Sequence, residues 1–296
     1  MKGLDSTNQN SDAHPTLSVL RSAERLRRQC TSWRSQGLSV GLVPTMGALH
    51  EGHLSLVRRA ARQCDRVVVS IFVNPRQFNS DSDLASYPRN IERDRALLTA
   101  AGTDILFHPA RNTIYPRGFA TLVRVDGPAL GWEGDSRPGH FEGVCTVVTK
   151  LINISCATHA YFGEKDAQQL AVVRRLVRDL NLAVKIVPCP LVRDQDGLAL
   201  SSRNQLLDPE QRSAALVLSL ALEHGLMLFR DGLHRPQEIL AAIRSQVGQQ
   251  PGVELEYAGI VDPSTFRSLS TALPGGLVVI AARIGRIRLI DCLRLG

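Results

Sequence analysis

Long apolar runs are missing from this 296-residue chain. No stretch of it therefore reads as a bilayer span, which needs about 20 consecutive apolar residues. Internal repeats and low-complexity segments are absent as well. Aromatic residues supply only 5% of the sequence, and no basic stripe is dense, so a nucleic-acid-binding module would lack both stacking platforms and phosphate tracks. Cys-x-x-Cys does not occur. The six cysteines (Cys30, Cys64, Cys145, Cys156, Cys189, Cys292) are dispersed through apolar or helical surroundings, as expected of free thiols in a reducing cytoplasm. Residues 1–14 are polar with no apolar centre, which fits neither a signal peptide nor a helix and suggests a loose tail.

Lysine is scarce: Lys2, Lys150, Lys165 and Lys185 are the only four among 35 basic residues. Net charge is nonetheless +7, which suits either a nucleic acid or a small polyanionic substrate. The densest basic run, Arg21, Arg25, Arg27 and Arg28, lies beside Leu20, Leu26 and Trp33 and reads as one solvated helix side.

Against these absences stands Val43–Leu54, which reads Val-Pro-Thr-Met-Gly-Ala-Leu-His-Glu-Gly-His-Leu. Leu38–Val43 precedes it as a short apolar strand, and Leu54, Val57, Ala60 and Ala61 follow at helical spacing, so the stretch is a strand-to-helix turn. Pro44 and Gly47 punctuate the turn, and Gly52 allows a close backbone approach. His50 and His53 then share a face at a helix N-terminus, where unpaired N–H groups favour an anion. A P-loop is excluded, because Gly41 and Gly47 have neither the spacing nor the lysine. Zinc is disfavoured, because metalloprotease histidines are four apart and no further Cys/His cluster is present. For one isolated His-x-Gly-His, two solvated histidines would remain the plainer reading.

Companion segments decide between these readings. In order come Val73-Asn74-Pro75-Arg76-Gln77-Phe78, Tyr87-Pro88-Arg89, Arg137-Pro138-Gly139-His140-Phe141-Glu142-Gly143-Val144, Phe162-Gly163-Glu164-Lys165-Asp166-Ala167-Gln168-Gln169 and Asp196-Gly197-Leu198-Ala199-Leu200-Ser201-Ser202-Arg203-Asn204. Together with the first stretch, they closely resemble the pantoate–β-alanine ligase (pantothenate synthetase) family, from about Leu38 to Asp291. More broadly, His-x-Gly-His with a later Ser-Ser-Arg resembles the nucleotidyltransferase superfamily shared with class I aminoacyl-tRNA synthetases.

The pattern along the chain is α/β. An amphipathic helix is expected over Leu17–Gln36, a strand over Val67–Val73, a polar loop over Asp81–Asn90, a helix over Ile91–Ala101 and a strand over Asp104–Phe107. Thr121–Val125 reads as a strand, Gly143–Ile154 as a helix, His159–Phe162 as a strand, Asp166–Leu180 as a helix and Val184–Val187 as extended. This is a Rossmann-like parallel sheet over residues 15–191, with ligands at the strands' carboxyl ends. Beyond Pro188–Val192 the pattern changes to a smaller α+β unit, residues 192–296. It should hold a long helix opened by Asp208-Pro209-Glu210-Gln211, a helix over Pro236–Val247, and three strands at Glu254–Val261, Gly276–Ala282 and Arg286–Ile290.

The resemblance implies ATP-dependent condensation of pantoate with β-alanine to pantothenate, AMP and pyrophosphate through a pantoyl adenylate, a step toward coenzyme A. It implies that His50 and His53 hydrogen-bond the phosphates. Attack by an ionised carboxylate needs no proton removed, so electrostatic support is the expected role. Met46 and Gly47 would flank ATP, although an ordinary turn also accounts for Met46. Lys165 would meet phosphate beside Gly163, and Asp166 would approach the ribose or cap its helix, Asp-x-x-Gln being itself a capping pattern. Gln169 could do either job, and the family assigns it with Gln77 to pantoate/β-alanine. Ser201, Ser202 and Arg203 would brace the triphosphate, with Val192 and Leu200 contacting the nucleotide, and the second unit would close as a lid. Mg²⁺ would bridge phosphates with few protein ligands. Asp94 is the one candidate for indirect metal contact, with an exposed helix aspartate as the alternative. Arg137 and His140 fit a structural loop equally well. A homodimer is implied by the family alone. The competing readings are a nucleotidyltransferase that stops at nucleotide transfer, which would not require Asn-Pro-x-Gln-Phe or Gly-Glu-Lys-Asp, and a basic nucleic-acid-binding module.

Overall fold

The computed structural model describes residues 17–296, so the expected tail at residues 1–14, and residues 15 and 16, lie outside it. Six parallel strands form the larger sheet: β1 (Ser18–Leu20), β2 (Val40–Thr45), β3 (Arg66–Ile71), β4 (Ile105–Phe107), β5 (His159–Gly163) and β6 (Lys185–Cys189). Their order is β1-β4-β3-β2-β5-β6. Both faces are covered, so the strands alternate between two cores rather than between core and water. Leu42, Val68, Phe107 and Phe162 enter one core with the helices Ala23–Ser35 and His140–Ser155. Val43, Val69, Leu106 and Tyr161 enter the other with Glu51–Gln63 and Ile91–Ala100.

From β2 the chain proceeds to β3 on one side, and β5 is laid down on the other. The order therefore reverses between β2 and β5, which opens a crevice at their carboxyl ends. Met46 and Glu164 follow those two strands directly.

Three local expectations differ from the structure. Leu17–Gln36 is not one helix. Its first residues add β1 to the sheet edge, and Ser22, accepting the Arg25 N–H at 3.3 Å, starts the helix only at Ala23. Asp81–Ser86 forms a short helix inside the expected loop. Thr121–Val125 joins no sheet, and the Val123 N–H donates instead to the Thr146 hydroxyl at 3.0 Å.

A second, antiparallel sheet has the order β7 (Val253–Val261), β8 (Leu277–Ile284), β9 (Ile287–Arg294). It packs under the helices Pro209–Ala215, Val217–Arg230 and Pro236–Gly248. Asp208 and Gln211 make the expected reciprocal cap. Contrary to the reading that no stretch reaches bilayer length, Pro209–Arg230 is 22 residues long and apolar enough to pass that test. Half of its apolar window is buried in the protein, including Leu218, Ala221, Leu222 and Phe229, so it reads as a core helix.

The two sheets are locked together by the segment at Trp132. This residue adopts φ 50°, donates from Nε1 to the Phe266 carbonyl at 3.0 Å, and lies against Gly259 of β7. A Cβ on Gly259 would stand 2.0 Å from the indole. Next to it, Glu133 accepts two bonds from Arg288 of β9, at 2.5 and 2.9 Å, and one from the Tyr257 hydroxyl at 2.7 Å. Burial favours a neutral Glu133, but the bonds and charge of Arg288 outweigh it and hold the carboxyl below its usual range. Gly259→Ala is expected to force the indole out and cost about 1–3 kcal/mol, lowering the thermal midpoint by several degrees; an unchanged midpoint would contradict this packing.

Candidate active site

The turn after β2 is shaped from below by a carboxylate. Asp94, 1% exposed, accepts the Ala48 and Leu49 N–H groups at 2.9 Å each. Gly47 turns with φ 84° onto that carboxylate, where a Cβ would meet Oδ2 at 3.0 Å. Ala48 follows at φ 51°, a left-handed conformation costing roughly 1 kcal/mol or more for a residue with a Cβ. Asp94 is thus no exposed helix aspartate: each of its oxygens accepts an N–H of the loop.

His50 is the N-cap of Glu51–Gln63, and its N–H donates to His53 Nδ1 at 3.4 Å. That bond makes Nδ1 the acceptor and leaves the proton on Nε2, pointing away from the cap. The rings lie 4.1 Å apart. Gly52 is required by the imidazole itself rather than by a second backbone, since a Cβ there would stand 2.8 Å from the His50 ring. His50 Nδ1 is buried without a partner. Burial, then the neighbouring His53 and Lys165 charges, lower the His50 pKa to about 3; burial and Lys165 lower His53 to about 4. Both imidazoles are neutral at pH 7 and act as hydrogen-bonding groups at the positive end of the helix rather than as cations.

These histidines and Met46 border the cleft at the β2–β5 crevice. From the β5 side come Gly163, Lys165, Asp166 and Gln169. Lys165 Nζ is 3.7 Å from Asp166 Oδ1. Asp166 makes no side-chain cap bond, so the Asp-x-x-Gln pattern is not a capping box here. From the 192–203 segment come Val192, Leu200, Ser201, Ser202 and Arg203. Ser202 donates to the Ala48 carbonyl at 3.1 Å, tying that segment to the turn, and Arg203 pairs with Asp83 at 3.0 Å. Of the residues expected at the site, only Gly47 and Asp94 stay off the cleft wall.

Gln77 enters from the opposite wall. Its Oε1 accepts from Asn74 Nδ2 at 2.7 Å, and Asn74 is fixed in turn by the Gly143 carbonyl and the Tyr115 hydroxyl. The Gln77 amide nitrogen is thereby left to face a ligand. The Gln77 carbonyl accepts from His140 Nδ1 at 2.9 Å and Arg137 Nη2 at 3.1 Å. Burial, then Arg137, lower the His140 pKa to about 4. Arg137 and His140, which also fitted a structural loop, both line the cleft, as does buried Tyr87. No role was expected for Asn74, Tyr115 or Asp83. The three-residue Asn74–Gln77 spacing was a readable signal for the first, whereas nothing local marks the other two. Gln168 is the structural glutamine: 3% exposed, it accepts the Glu133 N–H and donates to carbonyls of the 128–131 loop.

Residues 18–294 match the family model described as pantoate-beta-alanine ligase. The chain is 50% identical to a pantothenate synthetase of Koribacter versatilis, covering 93% of this chain and 94% of that one. It is 46% identical to one of Clostridium acetobutylicum, covering 93% and 98%. Its fold is similar to the crystal structure of pantothenate synthetase from Thermus thermophilus, with a TM-score of 0.87, 47% identity and coverage of 94% and 99%. It is also similar to pantoate-beta-alanine ligase from Francisella tularensis, solved with beta-gamma ATP and beta-alanine, at a TM-score of 0.77, 34% identity and coverage of 94% and 97%.

Two outcomes are expected from this geometry. Asp94→Ala leaves two buried amides unpaired, a loss of about 1–3 kcal/mol for each; it should lower the thermal midpoint and weaken ATP binding at least tenfold in calorimetry, and wild-type values for both would remove the clamp from the account. The second concerns pH. Unfolded histidines bind protons below about pH 6.5, whereas His50, His53 and His140 do so only near 3 to 4 when folded. Stability is therefore full above pH 6.5 and declines as pH falls toward 4. His140→Asn, which keeps a donor for the Gln77 carbonyl, should flatten that slope in melts at pH 7, 6 and 5; an unchanged slope would place the titration elsewhere.

Proposed function

The chain belongs to the pantoate–β-alanine ligase family, and from that premise we propose how its cleft divides the work of joining pantoate to β-alanine at the expense of ATP. A carboxylate is a poor electrophile and oxide a hopeless leaving group, so the acid must first be activated. In the proposed route the pantoate carboxylate attacks the α-phosphorus, giving pantoyl adenylate and pyrophosphate; the β-alanine amine then displaces AMP.

Met46, Gly163 and the 192–203 segment would bracket the nucleotide, with Gly47 shaping the turn. His53, through its Nε2–H, and His50 would donate to phosphate oxygens, while Lys165 and Arg203 carry the positive charge. Before ATP arrives, Arg203 is held by a carboxylate that is itself 41% exposed. Such a pair contributes about 1 kcal/mol at most, so it yields readily to a triphosphate. Gln77, aimed by Asn74, and Gln169 would bind pantoate, a pocket built to hydrogen-bond hydroxyls rejecting acids that lack them. Asp166 and Val192 would flank the ribose and base, and Ser201 and Ser202 would donate to the polyphosphate.

Residues 192–296 would act as the lid over a Rossmann-like unit of residues 15–191. The Trp132–Gly259 and Glu133–Arg288 contacts would restrict that closure to a small rotation. Magnesium would travel with the nucleotide. Among the described residues no group of three His, Cys, Asp or Glu side chains could hold a metal, and Asp94 is engaged elsewhere. No protein cage fits, and no step is assigned to the metal. A cytoplasmic homodimer completes the proposal, and light scattering tests its oligomeric part.

What supports this reading most is the convergence of His53, Lys165, Arg203, Gln77 and Gln169, from separate segments of the chain, on one cleft at the point where the sheet order reverses. The test is pyrophosphate–ATP exchange without RNA, in the presence and absence of pantoate. Exchange should require pantoate, and His53→Ala and Lys165→Ala should fold normally yet lose about 100-fold or more of it. Exchange independent of pantoate, or undiminished in either variant, would overturn the assignment.

A further inference from the structure

In the ligase reading, two separate segments bring cations to one triphosphate: the turn after β5 carries Lys165 and the 192–203 segment carries Arg203. Both segments are fastened to the same point of β9. Residues 192–200 fold back on themselves. The Leu200 N–H donates to the Val192 carbonyl at 3.0 Å and the Asp194 N–H to the Leu198 carbonyl at 2.8 Å, with Arg193 bridged to Ala199 between them. The tip of this hairpin is held only by exposed or half-exposed pairs, Asp194 and Asp196 with Arg212, which contribute little. Its base is held differently. Arg193 Nη1 and Nη2 donate to the two Asp291 oxygens at 2.7 and 3.0 Å, and Nη1 also reaches the Gly197 carbonyl at 3.1 Å. The Asp291 side chain is 3% exposed.

The next residue of β9 holds the other segment. The Cys292 N–H donates to Asp291 Oδ1 at 2.7 Å, and the Cys292 thiol donates to the Glu164 carbonyl at 3.2 Å, one residue before Lys165. Stability alone does not account for the buried pair. Burial raises the Asp291 carboxyl pKa more than Arg193 lowers it, and a buried ion pair is often no better than apolar residues of the same volume. What a bidentate guanidinium–carboxylate pair supplies is direction, because two parallel bonds fix distance and angle together.

We infer that Asp291 is a positioning residue for the adenylation step: through Arg193 it sets the reach of Ser201–Arg203, and through Cys292 the place of Lys165, so that both meet one polyphosphate. The inference rests on the ligase reading above. Asp291 itself is off the wall of the main cleft. Its Oδ2 is bonded to Arg193, and its Oδ1 to Arg193 and the Cys292 N–H. The strand that carries it is paired along its whole length with β8, so the separation of the two gripping segments is set by a sheet rather than by the loops. An asparagine at 291 would keep the shape but replace one acceptor with a donor. One of the three bonds would then be lost, and the Arg193 cation would lose its anion.

The test pairs thermal melts with pantoate-dependent pyrophosphate–ATP exchange, read as separate KM values for ATP and pantoate. Asp291→Asn should raise KM for ATP about tenfold, the scale of one charge-assisted bond, and leave KM for pantoate at the wild-type value. Arg193→Met combined with Asp291→Leu removes both charges at once, so the midpoint should return close to that of the wild type while the ATP defect persists. Cys292→Ala should raise KM for ATP about threefold, and Cys292→Ser, which keeps a donor for the Glu164 carbonyl, should not. Recovery of exchange together with the midpoint in the double variant would make the pair merely structural and overturn the proposal. An unchanged KM for ATP in Asp291→Asn, or equal rises for ATP and pantoate, would overturn it as well, and these readings decide even where the double variant does not fold. Absence of exchange in the wild type would instead defeat the ligase reading, and ATP affinity by calorimetry would then carry the same comparison of variants.

Discussion

Two hydrogen bonds to the Asp94 carboxylate hold the site in shape. They satisfy the Ala48 and Leu49 amides inside the protein and offset the strain of a left-handed alanine, so the turn after β2 can reverse into a helix with His50 as its cap. From that turn follow the placement of His53 one helical turn later, the approach of Ser202 to the Ala48 carbonyl, and the edge of the cleft. The carboxylate comes from the helix that leads into β4, two strands away in the sheet, so the turn after β2 is held by a distant part of the fold.

The site separates geometry from charge. Neutral imidazoles, kept so by burial, supply directed N–H groups, while lysine and arginine supply the charge. Lys165 and Arg203 each lie beside a carboxylate that is half exposed or nearly so, a partner that holds them weakly. The interface between the sheets is built differently. There Glu133 is buried and bonded on both oxygens to Arg288, and removing one partner of such a pair costs several kcal/mol. The two kinds of pair differ in how much water reaches them.

Much of this was legible in the chain because the signals were local. Pro44, Gly47 and the His-x-Gly-His spacing dictate a turn into a helix, Val67–Val69 dictate a strand buried on both faces, and Asp208–Gln211 carries its own cap. What escaped was set by distant partners. β1 is three residues long, and Leu17 and Leu20 suit a helix as well as an edge strand. Asp94 sits in an ordinary helical pattern, and only its fold neighbours, 45 and 46 residues earlier, give it a role. Asp166-x-x-Gln169 mimics a capping box, yet the glutamine that organises structure is Gln168, through carbonyls 37 to 40 residues away. Arg137 looked like a loop residue because its place on the cleft wall is set by the Gln77 carbonyl, 60 residues earlier.

The central claim is that one triphosphate is met at once by groups from the turn after β2, the turn after β5 and the 192–203 segment. The most direct measurement is a crystal structure with a non-hydrolysable α,β-methylene ATP analogue. The account predicts His53 Nε2, Lys165 Nζ and an Arg203 guanidinium released from Asp83, all within hydrogen-bonding distance of phosphate oxygens. A polyphosphate bound away from the β2–β5 crevice, or one leaving Arg203 on Asp83, would contradict it.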